Sequence, residues 1–324
     1  MTVTQAFTFL ASSMKYSFSN IKSLLRSGAM FLSVLFVSSI IICACDDDHP
    51  WNNNGNGNGS GNTVSPNPTI TSRMETPRVL TDGSTVLISH DTKANGKTIV
   101  TYELEYDINK YHSRWVAFRF DGNTRAKSTG RQDAFADDPS LSSTYHIGSN
   151  GFGWDYNRGH LCASADRLYS VEANKQTFYM TNMSPQIPNF NGGYWVTLEG
   201  LVQTLGRSTS FADTLYVVKG GTIRDNQIKD YVTRSNGKKV AVPKYYYMAL
   251  LKYKNGGYSS IAFWMEHKDY GYDYKKQAPL SEIKKKAISV NQLEELTGID
   301  FFPNLPDASE EIIEGQNQPS AWGM

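Results

Sequence analysis

Thr98-Ile-Val-Thr-Tyr-Glu-Leu-Glu-Tyr106 and Arg114-Trp-Val-Ala-Phe-Arg-Phe120 decide how this chain folds. Both runs are rich in β-branched and aromatic residues, which suit a pleated, half-buried surface, and both read as strands. Arg78-Val-Leu80 and Thr85-Val-Leu-Ile-Ser89 have the same character, with Asp-Gly and Asn-Gly pairs as turns between the runs. Further strands are expected at Thr214–Lys219, Lys244–Lys252 and Tyr258–Met265. Between and after them lie helical patterns. From Asn191 to Gly206, Trp195, Leu198, Val202 and Leu205 recur on one face. Ser289 is placed to cap a helix with Gln292 three residues on, and Gly298 is placed to end it. Strands and helices mix without a βαβ rhythm, so the expected class is α+β with a central, largely antiparallel sheet. No internal repeat is visible.

The chain has 324 residues, of which 40% are hydrophobic, 12% aromatic and 19% charged. That excludes a disordered chain, a collagen-like repeat and a disulfide scaffold. Formal net charge is +1, but Lys15, Lys22 and Arg26 precede the first acid, leaving 29 cations against 31 anions in the rest. A globally basic nucleic-acid coat is excluded, and any polyanion site must be a local patch.

Those three cations precede Ala29-Met-Phe-Leu-Ser-Val-Leu-Phe-Val-Ser-Ser-Ile-Ile-Ile-Cys-Ala44, an uncharged run short for a membrane span. Initiation at Met14 instead of Met1 gives a more ordinary basic region. Ala44-Cys45 followed by Asp46-Asp47-Asp48 resembles a bacterial lipoprotein box with Cys45 as the lipidated residue, despite Cys43 and Ile42 before it. The acid run resembles an export signal of surface lipoproteins. A plain signal peptide or a short uncleaved anchor is the alternative. Cys43, Cys45 and Cys162 are the only cysteines, so a lipidated mature chain keeps one thiol and no disulfide. His160-x-Cys162 lacks a following Cys-x-x-Cys, and Cys162 reads as a small buried residue rather than a zinc ligand. The expected organisation is a signal segment over 1–45, a Gly/Asn-rich flexible tether over 46–75, a folded domain over 76–306, and a loose polar tail over 307–324.

Functional residue types concentrate in Asp155–Ala163 and Thr181–Glu199. Arg158 can grip a phosphate bidentately, His160 can be a general base near neutral pH, and Gly159 allows close backbone approach to a ligand. Glu199 lies eight residues after Asn191, about two helical turns on and roughly 80° round. An amide oxygen and a carboxylate so placed suit a hard cation with several waters, hence Mg²⁺ rather than Zn²⁺. Base, cation and Arg together describe phosphodiester hydrolysis. Taken singly, each residue has a plainer reading: Asn191 as a helix N-cap, Glu199 as a solvated helix residue, Trp195 as core. Order and spacing favour the chemical reading.

Asn157-Arg158-Gly159-His160, Asn182-x-Ser184-Pro185-Gln186 and Asn191-x-Gly193-x-Trp195-x-x-Leu198-Glu199 together resemble the DNA/RNA non-specific endonuclease family of the ββα-metal (His-Me finger) superfamily. Trp115-Val-Ala-Phe118 and Arg131-x-x-x-Phe135-x-x-Asp138-Pro139 match it too, and the similarity runs from about Val100 to Pro306. The resemblance implies a sheet flanked by helices with the site on a hairpin-plus-helix finger. It implies His160 as general base, Asn191 as the direct protein ligand of Mg²⁺ (Mn²⁺ as a substitute), and Glu199 holding a metal water. Arg131 would stabilise the pentacovalent phosphate, Arg158 would assist, and Asn182 would orient local structure or substrate. The family motif usually opens with Asp where this chain has Asn157, which keeps shape and hydrogen bonding but removes a charge.

The substrates so implied are DNA and RNA, contacted through the phosphate backbone. Arg125, Lys127, Arg131 and Arg158 are the expected contacts, with Lys284-Lys285-Lys286 as a further candidate or a solvated helix face. A non-catalytic nucleic-acid-binding lipoprotein is the competing reading. A serine or zinc hydrolase is disfavoured, since neither Gly-x-Ser-x-Gly nor His-Glu-x-x-His occurs. His160 is expected to titrate near 6.5 before any shift from Mg²⁺ or Arg158.

Overall fold

The structure, a computed structural model, describes residues 73–324 except Asn95. The lipidation motif at Cys45 and nearly all of the tether lie outside the described residues.

The strands are β1 (Thr85–Ala94), β2 (Lys97–Asp107), β3 (His112–Phe120), β4 (Asn157–His160), β5 (Met183–Gln186), β6 (Thr214–Gly221), β7 (Ile228–Thr233), β8 (Lys239–Pro243), β9 (Tyr245–Lys254), β10 (Gly257–Glu266) and β11 (Ala287–Ile288). Seven of them form one sheet in the order β1-β2-β3-β6-β9-β10-β11, antiparallel at every step. The pairs β4–β5 and β7–β8 stand apart as two small antiparallel sheets. The helices are α1 (Val171–Gln176), α2 (Val196–Arg207), α3 (Leu280–Lys284), α4 (Val290–Thr297) and α5 (Asp307–Glu314). The expected α+β class with a largely antiparallel central sheet flanked by helices is what is found.

The central strands are apolar at both parities because both faces of the sheet are covered. On β3, Val116, Phe118 and Phe120 enter one core, while Trp115 and Ala117 enter the other. β9 repeats this, with Tyr246, Met248 and Leu250 against Tyr247, Ala249 and Leu251. The first core is closed by Leu198, Val202 and Leu205 of α2. The second is closed by Val290 and Leu293 of α4, by Phe301 and by Ile313 of α5. The β9–β10 hairpin turns at Asn255 and Gly256, whose φ values of 50° and 83° fit the primed two-residue turn that matches strand twist.

Helix α4 starts as the sequence indicates. The Ser289 side chain accepts from the Gln292 amide, the Gln292 side chain reaches back, and Gly298 at φ 68° ends the helix. The expectation for 307–324 is corrected. This stretch forms α5, buries Ile313 in the second core, and sends Trp322 into the first. Acidic and polar composition masked two apolar anchors. At the other end Glu75 is buried and Met74 packs on the second core, so the folded part includes residues before 76.

Candidate active site

Two four-residue strands carry the densest motifs. β4 pairs with β5 in the register Asn157↔Gln186, Arg158↔Pro185, Gly159↔Ser184 and His160↔Met183. A single π-helical turn, Phe190–Trp195, follows β5 and runs directly into α2. Hairpin and helix thus bring the Arg158/His160 pair and the Asn191/Glu199 pair to one place. Asn191 is not the N-cap that its plain reading suggests. Asn189 holds that position, and the Asn191 amide already bonds the Ile187 carbonyl at 2.9 Å.

An open cavity of about 900 Å³ is lined by Arg131, Arg158, His160, Asn191 and Glu199. These five come from four separate segments: the loop after β3, β4, the π-helical turn and α2. Asn182 lies elsewhere. It is fully buried, its Oδ1 accepts from the Cys162 amide (2.8 Å), and its Nδ2 donates to the carbonyls of Cys162 (2.8 Å) and Thr177 (2.7 Å). It therefore fixes the chain just beyond His160. Ser184 of the same motif is also buried, linking His112 Nε2 (2.6 Å) to the Tyr246 hydroxyl (2.5 Å). Cys162 is buried, and among the described residues no group of three His, Cys, Asp or Glu gathers as a metal nest. Gly159 serves the hairpin rather than a ligand. A Cβ there would lie 2.1 Å from Gln186 Oε1, so only glycine lets that side chain cross the strand.

The His160 ring sits edge-on to Phe178 (centroids 5.0 Å apart) and 6.0 Å from Phe135. Its Nε2 is buried without a hydrogen-bond partner. Burial first, then the charges of Arg131, Lys219 and Arg158, lower its pKa to about 3. The imidazole is neutral at neutral pH, so one of its ring nitrogens carries a lone pair able to take a proton.

Both arginines are aimed by aromatic rings. The Arg158 guanidinium carbon lies 3.4 Å above the Phe135 ring, and that of Arg131 lies 4.8 Å from the Phe178 centroid. Arg158 Nη1 donates to the Ser149 carbonyl (2.7 Å), and Arg131 Nε donates to Asp133 (2.7 Å). The remaining N–H groups have no protein acceptor among the described residues. Burial lowers the Arg158 pKa, and the neighbouring Arg131 charge lowers it further. A phosphate between the two would relieve that repulsion. Arg125 is used otherwise, donating to the carbonyls of Asp121 (2.9 Å) and Asp213 (2.6 Å). Lys285 pairs with Glu282 at 2.6 Å. Neither these two nor Lys127, Lys284 or Lys286 lines the cavity.

Asn191 Nδ2 lies 3.4 Å from the Tyr274 hydroxyl, and its amide oxygen has no protein partner among the described residues. Glu199 Oε1 is buried without a hydrogen-bond partner and forms an ion pair with Lys219 Nζ at 3.6 Å. An unclaimed amide oxygen and a carboxylate lining one polar cavity fit a hard divalent cation held partly by water. Burial raises the Glu199 pKa, and the Lys219 ammonium pulls it back.

Sequence reasoning missed what lies beneath Glu199. Lys219, on β6, is fully buried and pairs with Asp166 Oδ2 at 2.7 Å. Asp166 also accepts from Gln203 Nε2 (3.0 Å) and the Ala163 amide (3.0 Å). A lysine at the end of a strand-like run gives no sign that it points inward. Tyr274, which lines the cavity, was missed too. Its signal is Gly192, where a Cβ would lie 2.5 Å from the Tyr274 ring.

Three curated relatives carry nuclease names. A nuclease of Nostoc sp. is 30% identical over 222 residues, covering 66% of this chain and 76% of that protein. Mitochondrial endonuclease G of Homo sapiens is 28% identical over 222 residues, covering 64% and 70%. Mitochondrial nuclease EXOG of Xenopus laevis is 27% identical over 229 residues, and the match spans 66% of this chain but only 60% of the frog protein. The fold resembles a chain in the crystal structure of an EndoG/EndoGI complex, with a TM-score of 0.52, 21% identity, and coverage of 68% of this chain and 88% of that one. Residues 83–308 match the family model described as DNA/RNA non-specific endonuclease, and with well over half of its length inside that match this chain belongs to the family.

Proposed function

We propose that this protein is a Mg²⁺-dependent endonuclease that hydrolyses phosphodiester bonds of DNA and RNA without sequence readout, with Mn²⁺ able to substitute. The observation that carries the reading is the convergence of a neutral His160, two arginines with spare donors, the unclaimed amide oxygen of Asn191 and the Glu199 carboxylate around one cavity. His160 takes the proton of the attacking water. Arg131 and Arg158 hold the non-bridging oxygens and oppose the charge that builds on the phosphate. Asn191 would hold the cation through its amide oxygen, and Glu199 would act on it through a water. Bound there, Mg²⁺ supplies positive charge for the developing negative charge on phosphate and leaving group. Asn182 acts by holding the backbone behind His160. Contacts of this kind go to phosphate, which carries no sequence information.

The test is a Mg²⁺ titration of the cleavage rate. EDTA should abolish cleavage. Asn191→Ala should move half-saturation to higher Mg²⁺, and Glu199→Ala should cost ~10–100-fold, as losses behind a metal ligand do. An Asn191→Ala protein with the wild-type Mg²⁺ curve would remove the assigned ligand.

We also propose that Cys45 carries a lipid and that Asp46–Asp48 direct the domain to the outer surface of a bacterial outer membrane. The order of basic, apolar, small and Cys residues, followed by acids and a Gly/Asn-rich stretch, supports this. Cys45→Ala should abolish labelling by a fatty-acid probe and release the protein from membranes. Unchanged labelling would sink the idea.

A further inference from the structure

Trp154 is 102% exposed, the most exposed large hydrophobic side chain among the described residues. The described tryptophans other than Trp154 are buried or half-buried. It stands beside the cavity, in a stretch whose Gly153 and Tyr156 line it.

The loop presenting Trp154 is held rigidly. Arg234, in the turn after β7, donates Nε to the Ile147 carbonyl (3.0 Å), Nη1 to that of Gly151 (2.5 Å), and Nη2 to those of Gly148 and Asn150 (2.9 Å each). Phe152 sinks into a third core with Ile147, Met180, Met183 and Val240. Arg158 Nη1 bonds the Ser149 carbonyl of the same loop. The guanidinium assigned to the phosphate and the backbone leading to the exposed indole are therefore parts of one braced unit. Gly153, at φ 88°, adopts a conformation that glycine takes readily, and the chain emerges there from the anchored segment.

An indole kept in water next to a phosphate-gripping site matches a nucleobase, whose flat face stacks on it whatever its identity. Only an unpaired base has a free face, since both faces of a duplex base are already stacked.

We propose that Trp154 is a stacking platform for an unpaired base flanking the scissile phosphate, so that this site prefers single-stranded nucleic acid. This rests on the reading of the cavity as a nuclease site.

The test uses the full chain in EDTA, which prevents cleavage, with a short oligo(dT) strand and the same strand annealed to oligo(dA). Base–aromatic stacking predicts a 5- to 150-fold rise, roughly, in single-strand Kd for Trp154→Ala. The duplex Kd should rise less, so the ratio of the two affinities falls. Trp154→Phe should keep most of the single-strand affinity but lose the tryptophan fluorescence quenching that accompanies wild-type binding. Equal weakening on both substrates, or an unchanged single-strand Kd in Trp154→Ala, overturns the stacking role. A wild-type protein that binds neither substrate overturns the nuclease reading with it. A protein that cleaves but whose ratio ignores Trp154 overturns stacking alone.

Discussion

His160→Ala should lower phosphodiester cleavage by ~10²–10⁴-fold, the usual contribution of a positioned general base, in a protein that remains folded. The fold should survive because His160 Nε2 has no hydrogen-bond partner to strand, and the loss is mainly ring contact with Phe178 and Phe135. The pH profile carries the sharper information. An ordinary histidine would leave kcat/KM half-maximal near 6.5. Here burial and three nearby cations lower the pKa to about 3. The sign is unambiguous: a lowered pKa keeps the imidazole deprotonated, and so active as a base, as pH falls through 6.5. The acid limb assigned to His160 should therefore lie well below 6.5. A half-maximal point at 6.5 or above, absent from His160→Ala, would mean that the ring is better solvated than this site allows.

Lys219→Met should destabilise the fold by about 3–5 kcal/mol, the range for breaking a buried ion pair from one side. Lys219 and Asp166 are both fully buried and 2.7 Å apart, and Glu199 Oε1 is 3.6 Å from the same ammonium. Removing the lysine leaves the buried Asp166 carboxylate without its ion-pair partner and Glu199 without its nearest cation. The Glu199 pKa, already raised by burial and by the Asp166 charge, would lose its main opposing influence. Urea denaturation reads the loss directly, as a lower midpoint at an unchanged slope. Adding Asp166→Asn should recover part of it, because one of the stranded charges is then gone. A Lys219→Met midpoint matching wild type would show that the carboxylates are relieved by some other route.

How far the sequence reaches is clearest at individual elements. β3 and β9 were legible because β-branched and aromatic residues fill them, and α4 because Ser289, Gln292 and Gly298 sit at its two ends. Strands β4 and β5 were not legible as strands. Each has only four residues, and Pro185 with Gly159 breaks any propensity signal. Their importance came through the motifs they carry. The π-helical turn was read as ordinary helix, since Trp195 and Leu198 keep helical spacing across it. At the site, Arg131, Arg158, His160, Asn191 and Glu199 line one cavity. Asn182 is instead buried behind the hairpin, a difference that no local pattern announces. Lys219 escaped notice because inward or outward orientation on a short strand depends on what packs against it, here Asp166 and the Phe118 ring at 5.2 Å. Trp154 escaped because a lone Trp after glycines reads equally well as an anchor or as a solvent-facing residue.

The central claim is that this cavity hydrolyses phosphodiesters with His160 and a cation held by Asn191. The most direct measurement is cleavage of supercoiled plasmid and of structured RNA by the wild-type protein, with Mg²⁺ and with EDTA, beside His160→Ala. The account predicts cutting of both nucleic acids in Mg²⁺, none in EDTA, and a loss of ~10²-fold or more in the variant. Cleavage that persists in EDTA, or a folded His160→Ala protein that cuts at the wild-type rate, would contradict it.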